Sequence, residues 1–297
     1  MAADWPNYNE ALVRRGKILL DLGLLYTWGE ELEEMNRGKE GARYPYPDGF
    51  INLQGLLRAP FRLPYRQLQG FTHALSRLEP QLRSPDYSTT CRRANGLSVD
   101  LEPHLDPGRP VTIAVDTSGV KVSDRGEWMR AKWKRRRGFL KIHIAVDVET
   151  KQIVAMEVTD EGMGDSRMLA PLVEQAKRCC NVVRVLGDGA YDSRLSFAYL
   201  EELGIEPGIK VRRNSSARAC GCQARKIAVM EQLGDPEAWR RRVGYGGRWM
   251  AETAFSVYKQ LFGEYVMARS FSNMVREMIL KASLYNLFMS FNPATQV

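Results

Sequence analysis

The sequence contains few histidines and an odd number of cysteines, which argues against several common kinds of site. It has three histidines and five cysteines among 297 residues, and the cysteines at 179–180 and 220–222 are not matched by a second Cys-x-x-Cys or His-x-x-x-His pair. Neither a zinc site nor a disulfide framework is therefore expected. A reducing cytoplasm is the expected compartment.

Long apolar runs are also missing. No apolar stretch reaches the roughly 18 residues that a membrane-spanning helix requires. Residues 1–7 have neither the basic start nor the apolar run of a signal peptide. We therefore expect no membrane span and no secretory leader.

Positive charge, in contrast, is abundant. The formal net charge is +8 and the sequence pI is about 9.3. With 44% hydrophobic residues the chain is able to bury a sizeable core. A basic chain of this kind suits a polyanionic partner, most commonly nucleic acid, although a merely basic soluble protein has the same composition.

The N-terminal third reads as helical. Pro64–Leu78 is amphipathic, and after a break a second helix begins near Ser84 or Asp86, either of which is a suitable cap. This second helix carries Arg92 and Arg93. The pattern fits a DNA-binding helix-turn-helix and fits an ordinary helical hairpin equally well.

A polar segment rich in proline and glycine, residues 98–110, is predicted to separate two domains, 1–100 and 101–297. Beyond it the pattern changes to short apolar strands joined by helices, in the order βββ-α-β-α-β-α. The strands are predicted near residues 111–116, 139–148, 152–158, 182–186 and 209–211. This order predicts an α/β domain with a ribonuclease-H-like fold, a mixed five-stranded sheet with flanking helices, preceded by an all-α domain.

Asp147, Asp165 and Asp192 have structural interpretations. Asp147 ends an apolar run but precedes Thr150 and Lys151, which indicates a hairpin turn. Asp165 and Asp192 are predicted to cap the helices that follow them.

Three acids in the second domain have the chemistry of a metal site. Asp116 ends the first predicted strand, Asp188 follows the fourth, and Glu252 lies on a later helix. Carboxylate oxygens suit Mg²⁺, and two such ions assist phosphodiester cleavage or strand transfer. Asp116-Thr-Ser-Gly and Asp188-Gly189 are equally ordinary turn sequences.

The segment around Glu252 shows a regular spacing of polar residues. Arg248, Glu252, Lys259 and, less squarely, Tyr245 return to one face of the predicted helix. A surface ladder of ion pairs explains this spacing, and so does a carboxylate that holds a metal while the cations hold a phosphodiester.

Two basic segments lie in the second domain. Residues 125–141 carry eight basic residues against one acid, including Arg135, Arg136 and Arg137, with Trp133 among them. Residues 210–226 carry no acid. Phosphate contacts with aromatic stacking are predicted for the first segment, and a solvated basic face is the alternative.

These residues resemble a known family. Tyr245-x2-Arg248-x3-Glu252-x6-Lys259 is similar at every spacing to the Tyr-Arg-Glu-Lys signature of the insertion-sequence-four/five superfamily of DDE transposases. The blocks around Asp116 and Asp188, and Pro85-Asp-Tyr-Ser-Thr, resemble the insertion-sequence-five branch. The separation of Asp188 from Glu252 leaves no room for the large β-rich insertion found in some relatives.

The resemblance implies an activity and a set of roles. Asp116, Asp188 and Glu252 would bind Mg²⁺, or Mn²⁺ in its place, for DNA cleavage and strand transfer, while Tyr245, Arg248 and Lys259 contact phosphates of the transposon end. It implies double-stranded DNA as partner, a homodimer in the DNA complex, and a prokaryotic, nucleoid-associated location. A host-adopted DNA-binding protein and a ribonuclease-H-like nuclease are the alternatives.

Overall fold

The computed structural model describes residues 5–97, 100–101, 103, 105–122, 139–216, 218 and 221–291. The chain divides into two compact units. The first comprises Met1–Asp100, Met267–Leu284 and Phe291–Pro293, and the second comprises Leu101–Val266, Tyr285–Ser290 and Ala294–Val297. Compared with the predicted division after residue 100, the first unit takes in an additional stretch from the C-terminal region.

The N-terminal part of the first unit consists of helices in the residues described. They are α1 (Trp5–Ile18), α2 (Leu24–Asn36), α3 (Asp48–Phe61), α4 (Tyr65–Leu78) and α5 (Tyr87–Gly96). Their core contains the buried side chains of Phe50, Leu53, Leu57, Leu68 and Leu82. Each such side chain contributes about 1.5–3 kcal/mol when it leaves water, so the spacing of these residues fixes how α3 and α4 pack.

The predicted pair of helices is present as α4 and α5. Asp86 caps α5, because its carboxylate accepts hydrogen bonds from the amides of Ser88 and Thr89 at 2.8 and 2.9 Å, which confirms one of the two predicted caps. Ser84 instead bonds Thr72 of α4, with 2.7 Å between the hydroxyl oxygens. Residues 79–86 join the helices, a longer connection than the three- to four-residue turn of a helix-turn-helix.

The second unit contains a mixed sheet. Its strands are β1 (Pro110–Val122), β2 (Phe139–Asp147), β3 (Ile153–Asp160), β4 (Asn181–Gly187), β5 (Glu206–Ile209) and β6 (Tyr265–Val266). The order is β3-β2-β1-β4-β5, with β6 paired to β1. β1 and β2 are antiparallel, as are β2 and β3, which confirms the predicted meander, whereas β4 and β5 continue the sheet in parallel. The two-residue strand β6 was not predicted.

The remaining helices lie in the second unit, except that the last of them belongs to the first unit up to Leu284. They are α6 (Leu169–Lys177), α7 (Arg194–Glu202), α8 (Gln223–Gly234), α9 (Pro236–Val243), α10 (Trp249–Phe262) and α11 (Phe271–Ser290). One face of the sheet packs against α6 and α7. Its core contains Val111, Ile113 and Val115 of β1 together with Leu172 of α6 and Phe197 of α7. None of the helices among the described residues has both the length and the hydropathy of a membrane-spanning segment.

The two predicted acidic helix caps in this unit were wrong. Asp165 begins a short 3-10 turn before α6, and its carboxylate accepts a 2.8 Å hydrogen bond from Lys141 Nζ. Helix α7 is capped by Ser193, whose hydroxyl accepts from the amide of Ser196 at 3.0 Å, while Asp192 is bound elsewhere. Both acids found long-range cationic partners, which a local capping rule does not consider.

Strand β4 contains one extra residue. Val111 pairs with Val182, but the next residue of β1, Thr112, pairs with Arg184, so Val183 is a β-bulge. Val182 and Val185 both belong to the core beneath the sheet although they are three residues apart. A regular strand alternates every second residue, so the bulge is what allows both valines to face that core.

Candidate active site

Asp116 lies in the central strand β1. The three residues before it, Ile113, Ala114 and Val115, are completely buried, whereas Asp116 is half-buried. Burial raises the pKa of the Asp116 carboxyl, and the Asp188 and Glu252 carboxylates raise it further, while the Thr117 amide and Arg248 act in the opposite direction. Strand β1 thus carries a carboxylate into the electrostatic range of two other acids and one guanidinium.

Asp188 directly follows β4. The parallel ladder pairs Ala114 with Leu186, each two residues before Asp116 and Asp188, which places the two acids near each other. Asp188 also makes a turn, because its carboxylate accepts from the amide of Ala190 at 2.9 Å. Asp188 therefore forms a turn and also lies near Asp116.

Glu252 lies in the first turn of α10 and is paired with Arg248. Arg248 Nη2 lies 2.5 Å from Glu252 Oε1, and the two side chains are 22% and 55% exposed. An exposed pair of this spacing contributes only about 0.3–0.5 kcal/mol to stability. Arg248 is also close enough to lower the pKa of Asp116, so this pair borders the carboxylate cluster instead of standing apart from it.

The turn before α10 sets the position of Arg248. Helix α9 ends at Gly244, whose φ of 65° is a left-handed conformation that glycine adopts without strain. The 3-10 turn Tyr245–Arg248 follows, and a side chain at Gly247 would meet Leu186 at 3.2 Å. The turn therefore lies close against the end of β4.

Tyr245 lies next to the Asp188 loop. Its hydroxyl donates to the carbonyl of Gly187 at 3.4 Å, and its ring centroid is 5.0 Å from that of the buried Trp239. Burial raises the pKa of the phenol, so it is neutral at physiological pH. Lys259, the last member of the spacing motif, is half-buried and makes no ion pair within the described part of the chain.

The three acids have the donor chemistry of a Mg²⁺ site, since all are carboxylates, one in β1, one directly after β4 and one on α10. Among the residues that the structure describes, however, no group of three His, Cys, Asp or Glu side chains is close enough together to hold a metal ion. One reason is visible, because Glu252 is engaged by Arg248. The donor set fits the ion, and the side-chain arrangement differs from that of a closed metal site.

A buried polar network lies behind the carboxylates and was not predicted. Thr117 Oγ1 is 2.8 Å from His143 Nδ1 and 3.1 Å from the hydroxyl of Tyr191, and His143 Nε2 is 2.9 Å from Thr159 Oγ1. His143 is fully buried, and burial lowers its pKa to about 4. The signal in the sequence that could have revealed this network is His143, one of only three histidines, which lies within an apolar strand.

Asp147, in contrast, is a structural acid, as predicted. Its buried carboxylate accepts the hydroxyl of Thr150 at 2.6 Å in the β2–β3 turn and is paired with Arg109. Both contacts are made by Oδ2, while Oδ1 accepts from the amide of Glu149 at 3.2 Å.

The predicted DNA-contact residues outside the motif have different surroundings. Arg92 on α5 is exposed. Arg93 is largely buried, pairs with Asp48 and donates to the carbonyl of Tyr46 at 3.1 Å. The remaining predicted contacts lie outside the described residues: Trp133, Arg135, Arg136 and Arg137.

Comparison with known proteins identifies the family. One solved structure, the cryo-EM structure of a piggyBac transposase synaptic complex with hairpin DNA, is similar over 96% of this chain and 76% of that chain, with 12% identity and a TM-score of 0.41. That likeness is too distant to decide anything, and the assignment rests on sequence families. Two family models, each described as a transposase DDE domain, match residues 107–287 and residues 13–125. The first match spans more than half of the chain, so the protein belongs to the transposase DDE domain family.

Proposed function

We propose that this protein is the transposase of an insertion sequence of the insertion-sequence-five type. It binds the terminal inverted repeats of its element, cleaves the DNA at the ends and joins them to target DNA in the prokaryotic nucleoid. Membership of the DDE family supports a DNA transposition enzyme. The observation that carries the proposal is the approach of Asp188, Glu252 and Arg248 to the Asp116 carboxyl.

The fold that we infer for the second unit is ribonuclease-H-like. The support is the sheet order β3-β2-β1-β4-β5, in which an antiparallel meander is continued by two parallel strands. In this arrangement the first strand is central, and the carboxyl end of β4 lies beside the middle of β1, where Asp116 is located. We infer that the helices of residues 5–97 form an all-α region that binds DNA, with the exposed Arg92 on the candidate recognition helix α5.

Asp116, Asp188 and Glu252 would hold the metal, with Asp116 between the other two. Bound Mg²⁺, or Mn²⁺ in its place, supplies activation of the attacking water or 3′-hydroxyl and stabilisation of the leaving oxyanion. Glu252 must first give up its bond to Arg248, after which the guanidinium is available for a phosphate.

DNA contacts in this proposal come from the flank of the carboxylate cluster. Arg248 and Lys259 bind phosphates of the transposon end, and Tyr245 contacts a phosphate beside the Asp188 loop, to which its hydroxyl is already bonded. Trp133, Arg135, Arg136 and Arg137 extend the contacts to flanking DNA. Because both ends of an element are joined in one event, a homodimer that holds two DNA ends is expected.

The first test compares Glu252→Gln with wild type in metal-dependent cleavage of a duplex that carries the inverted repeat flanking the gene. The substitution removes charge but little volume, so we expect binding to persist and cleavage to fall to background. Glu264→Gln is the matched control, because Glu264 is an exposed acid just after α10 and lies outside the cluster. We expect the control to cleave as wild type does.

Each outcome separates the candidate functions. Equal cleavage by wild type and Glu252→Gln would remove Glu252 from the metal site. Binding without cleavage by any form favours a host-adopted DNA-binding protein. Cleavage that follows DNA structure and ignores the inverted repeat favours a ribonuclease-H-like nuclease.

A further inference from the structure

A basic segment follows β5 and lies against the loop of the second aspartate. It comprises Lys210–Ser216, which we call the basic segment. Lys210, Arg212 and Arg213 are all exposed, and residues 210–226 contain no acid. Within the described residues, none of these three side chains forms an ion pair with a carboxylate. Their positive charge is therefore not neutralised locally.

The basic segment is fixed on both sides of Asp188. The amide of Lys210 donates to the carbonyl of Gly187 at 3.0 Å, and Arg212 Nε donates to the carbonyl of Gly189 at 3.1 Å. Gly187 and Gly189 are the two neighbours of Asp188 in the chain. The backbone of Lys210 and the side chain of Arg212 are therefore bonded to the two residues that flank the candidate metal ligand Asp188.

A buried acid holds the basic segment in place. Asp192, whose side chain is fully buried, accepts two hydrogen bonds from Arg225 of α8, at 2.6 and 2.9 Å. The same carboxylate accepts from the amide of Arg212 at 2.9 Å and from the hydroxyl of Ser215 at 3.2 Å. Arg225 also donates to Ser215, at 3.0 Å. One carboxylate thus connects the Asp188 loop, the basic segment and α8.

The arrangement is not explained by stability alone. In the buried pair the charges of Asp192 and Arg225 neutralise each other. The exposed cations beside the pair are therefore not required for its stability. Those cations repel each other, and a polyanionic ligand bound beside the carboxylate cluster would neutralise them. A phosphodiester backbone has that charge at regular spacing and needs no particular sequence.

We propose that the basic segment is a binding surface for the DNA backbone next to the scissile phosphate, and that Asp192 is the residue that positions it. Lys210, Arg212 and Arg213 contact phosphates of the strand that passes Asp188. Asp192 contacts no DNA and acts only through the amide of Arg212 and the hydroxyl of Ser215. This inference rests on the proposed function and adds a defined part of its DNA surface.

The test measures binding of the inverted-repeat duplex as a function of salt for Lys210→Ala/Arg213→Ala. Each lost phosphate contact reduces the slope of log affinity against log salt by about 0.9, so we expect a reduction of up to roughly 1.8. The control is Lys177→Ala/Arg178→Ala, which removes two exposed cations from the C-terminal end of α6. We expect its slope to equal that of wild type.

Two further variants test the role of Asp192. Asp192→Asn removes the charge, and Ser215→Ala removes the hydroxyl that bonds both Asp192 and Arg225 while leaving the Asp192–Arg225 pair in place. We expect both to lower the salt slope with their exposed cations intact, an effect that a purely structural residue would not produce. Ser215→Ala keeps this arm decisive if Asp192→Asn does not fold.

The outcomes distinguish this inference from the proposed function. If wild type binds and cleaves the duplex but the Lys210/Arg213 variant keeps the wild-type slope, the basic segment is not a DNA surface. An equal reduction in the Lys177/Arg178 control would mean a general effect of net charge and would overturn the inference as well. If wild type does not bind the duplex at all, the proposed function fails and the inference fails with it.

Discussion

Asp116 and Thr117 are neighbours in β1, but their side chains lie on opposite sides of the sheet and have different surroundings. Asp116 faces two other acids and Arg248, and its pKa is raised. Thr117, on the opposite side, is hydrogen bonded to His143 and Tyr191 in a buried network. On the side of Asp116, which we call the front, carboxylates of like charge lie near each other. On the side of Thr117, which we call the back, the polar atoms are paired by hydrogen bonds. We predict that the residues on the side of Asp116 serve activity and that those on the side of Thr117 serve stability.

The largest expected effect is on the front side. Asp116→Asn should lower metal-dependent cleavage by about 10³-fold, because the charge stabilisation that a bound metal supplies is worth several kcal/mol. Without divalent ions, the same variant should melt at a higher temperature than wild type, since it relieves repulsion among three carboxylates. Cleavage of the inverted-repeat duplex and thermal unfolding in a chelating buffer measure the two effects.

Asp160→Asn serves as the control for that variant. Asp160 is an exposed acid at the end of β3, and the substitution removes the same charge. It should change neither quantity. A loss of stability in Asp116→Asn would contradict the view that the front carboxylates repel each other.

The next effect is on the back side. His143→Leu should destabilise the fold by about 1–3 kcal/mol, because it leaves the partly buried hydroxyls of Thr117 and Thr159 without their shared partner. His73→Leu, at an exposed histidine of α4, should stay within about 0.5 kcal/mol of wild type. Denaturant unfolding measures both variants, and equal stabilities would show that the network contributes nothing.

The remaining effect is a dependence of stability on pH. His143 faces Asp165 and Lys141, and burial lowers its pKa from 6.5 to about 4, so the unfolded chain takes up the proton first as pH falls. Stability should therefore decline between about pH 6.5 and 4, with a slope of at most about 1.4 kcal/mol per pH unit from this group. His143→Gln should remove this part of the slope, and a wild-type slope in that variant would assign it to other groups.

The sequence predicted the meander and the existence and order of most strands, because apolar β-branched runs between turn residues are a local signal. It also placed Asp116 on the first strand and Asp188 just after the fourth, but it ended the first strand at Asp116, whereas β1 continues to Val122. The resemblance to a transposase family added Glu252, whose spacing alone also describes the ion pair with Arg248 that the structure contains.

What the sequence did not predict depended on contacts between distant residues. Asp165 and Asp192 looked like helix caps, but Lys141 and Arg225 bind them instead. The network around His143 joins three strands and the Asp188 loop, so no single window of sequence contains it. Strand β6 has two residues and exists only through its pairing with β1, a length below any local signal.

The bulge at Val183 determines on which side of the sheet the second aspartate lies. In a regular strand, residues separated by an even number share a side, so Val182 and Asp188 would both face the core. The extra residue changes that parity, because Val185 also faces the core and Asp188 follows it by an odd number of positions. A single additional residue therefore lets β4 bury Val182 and Val185 and still place a carboxylate on the side of Asp116.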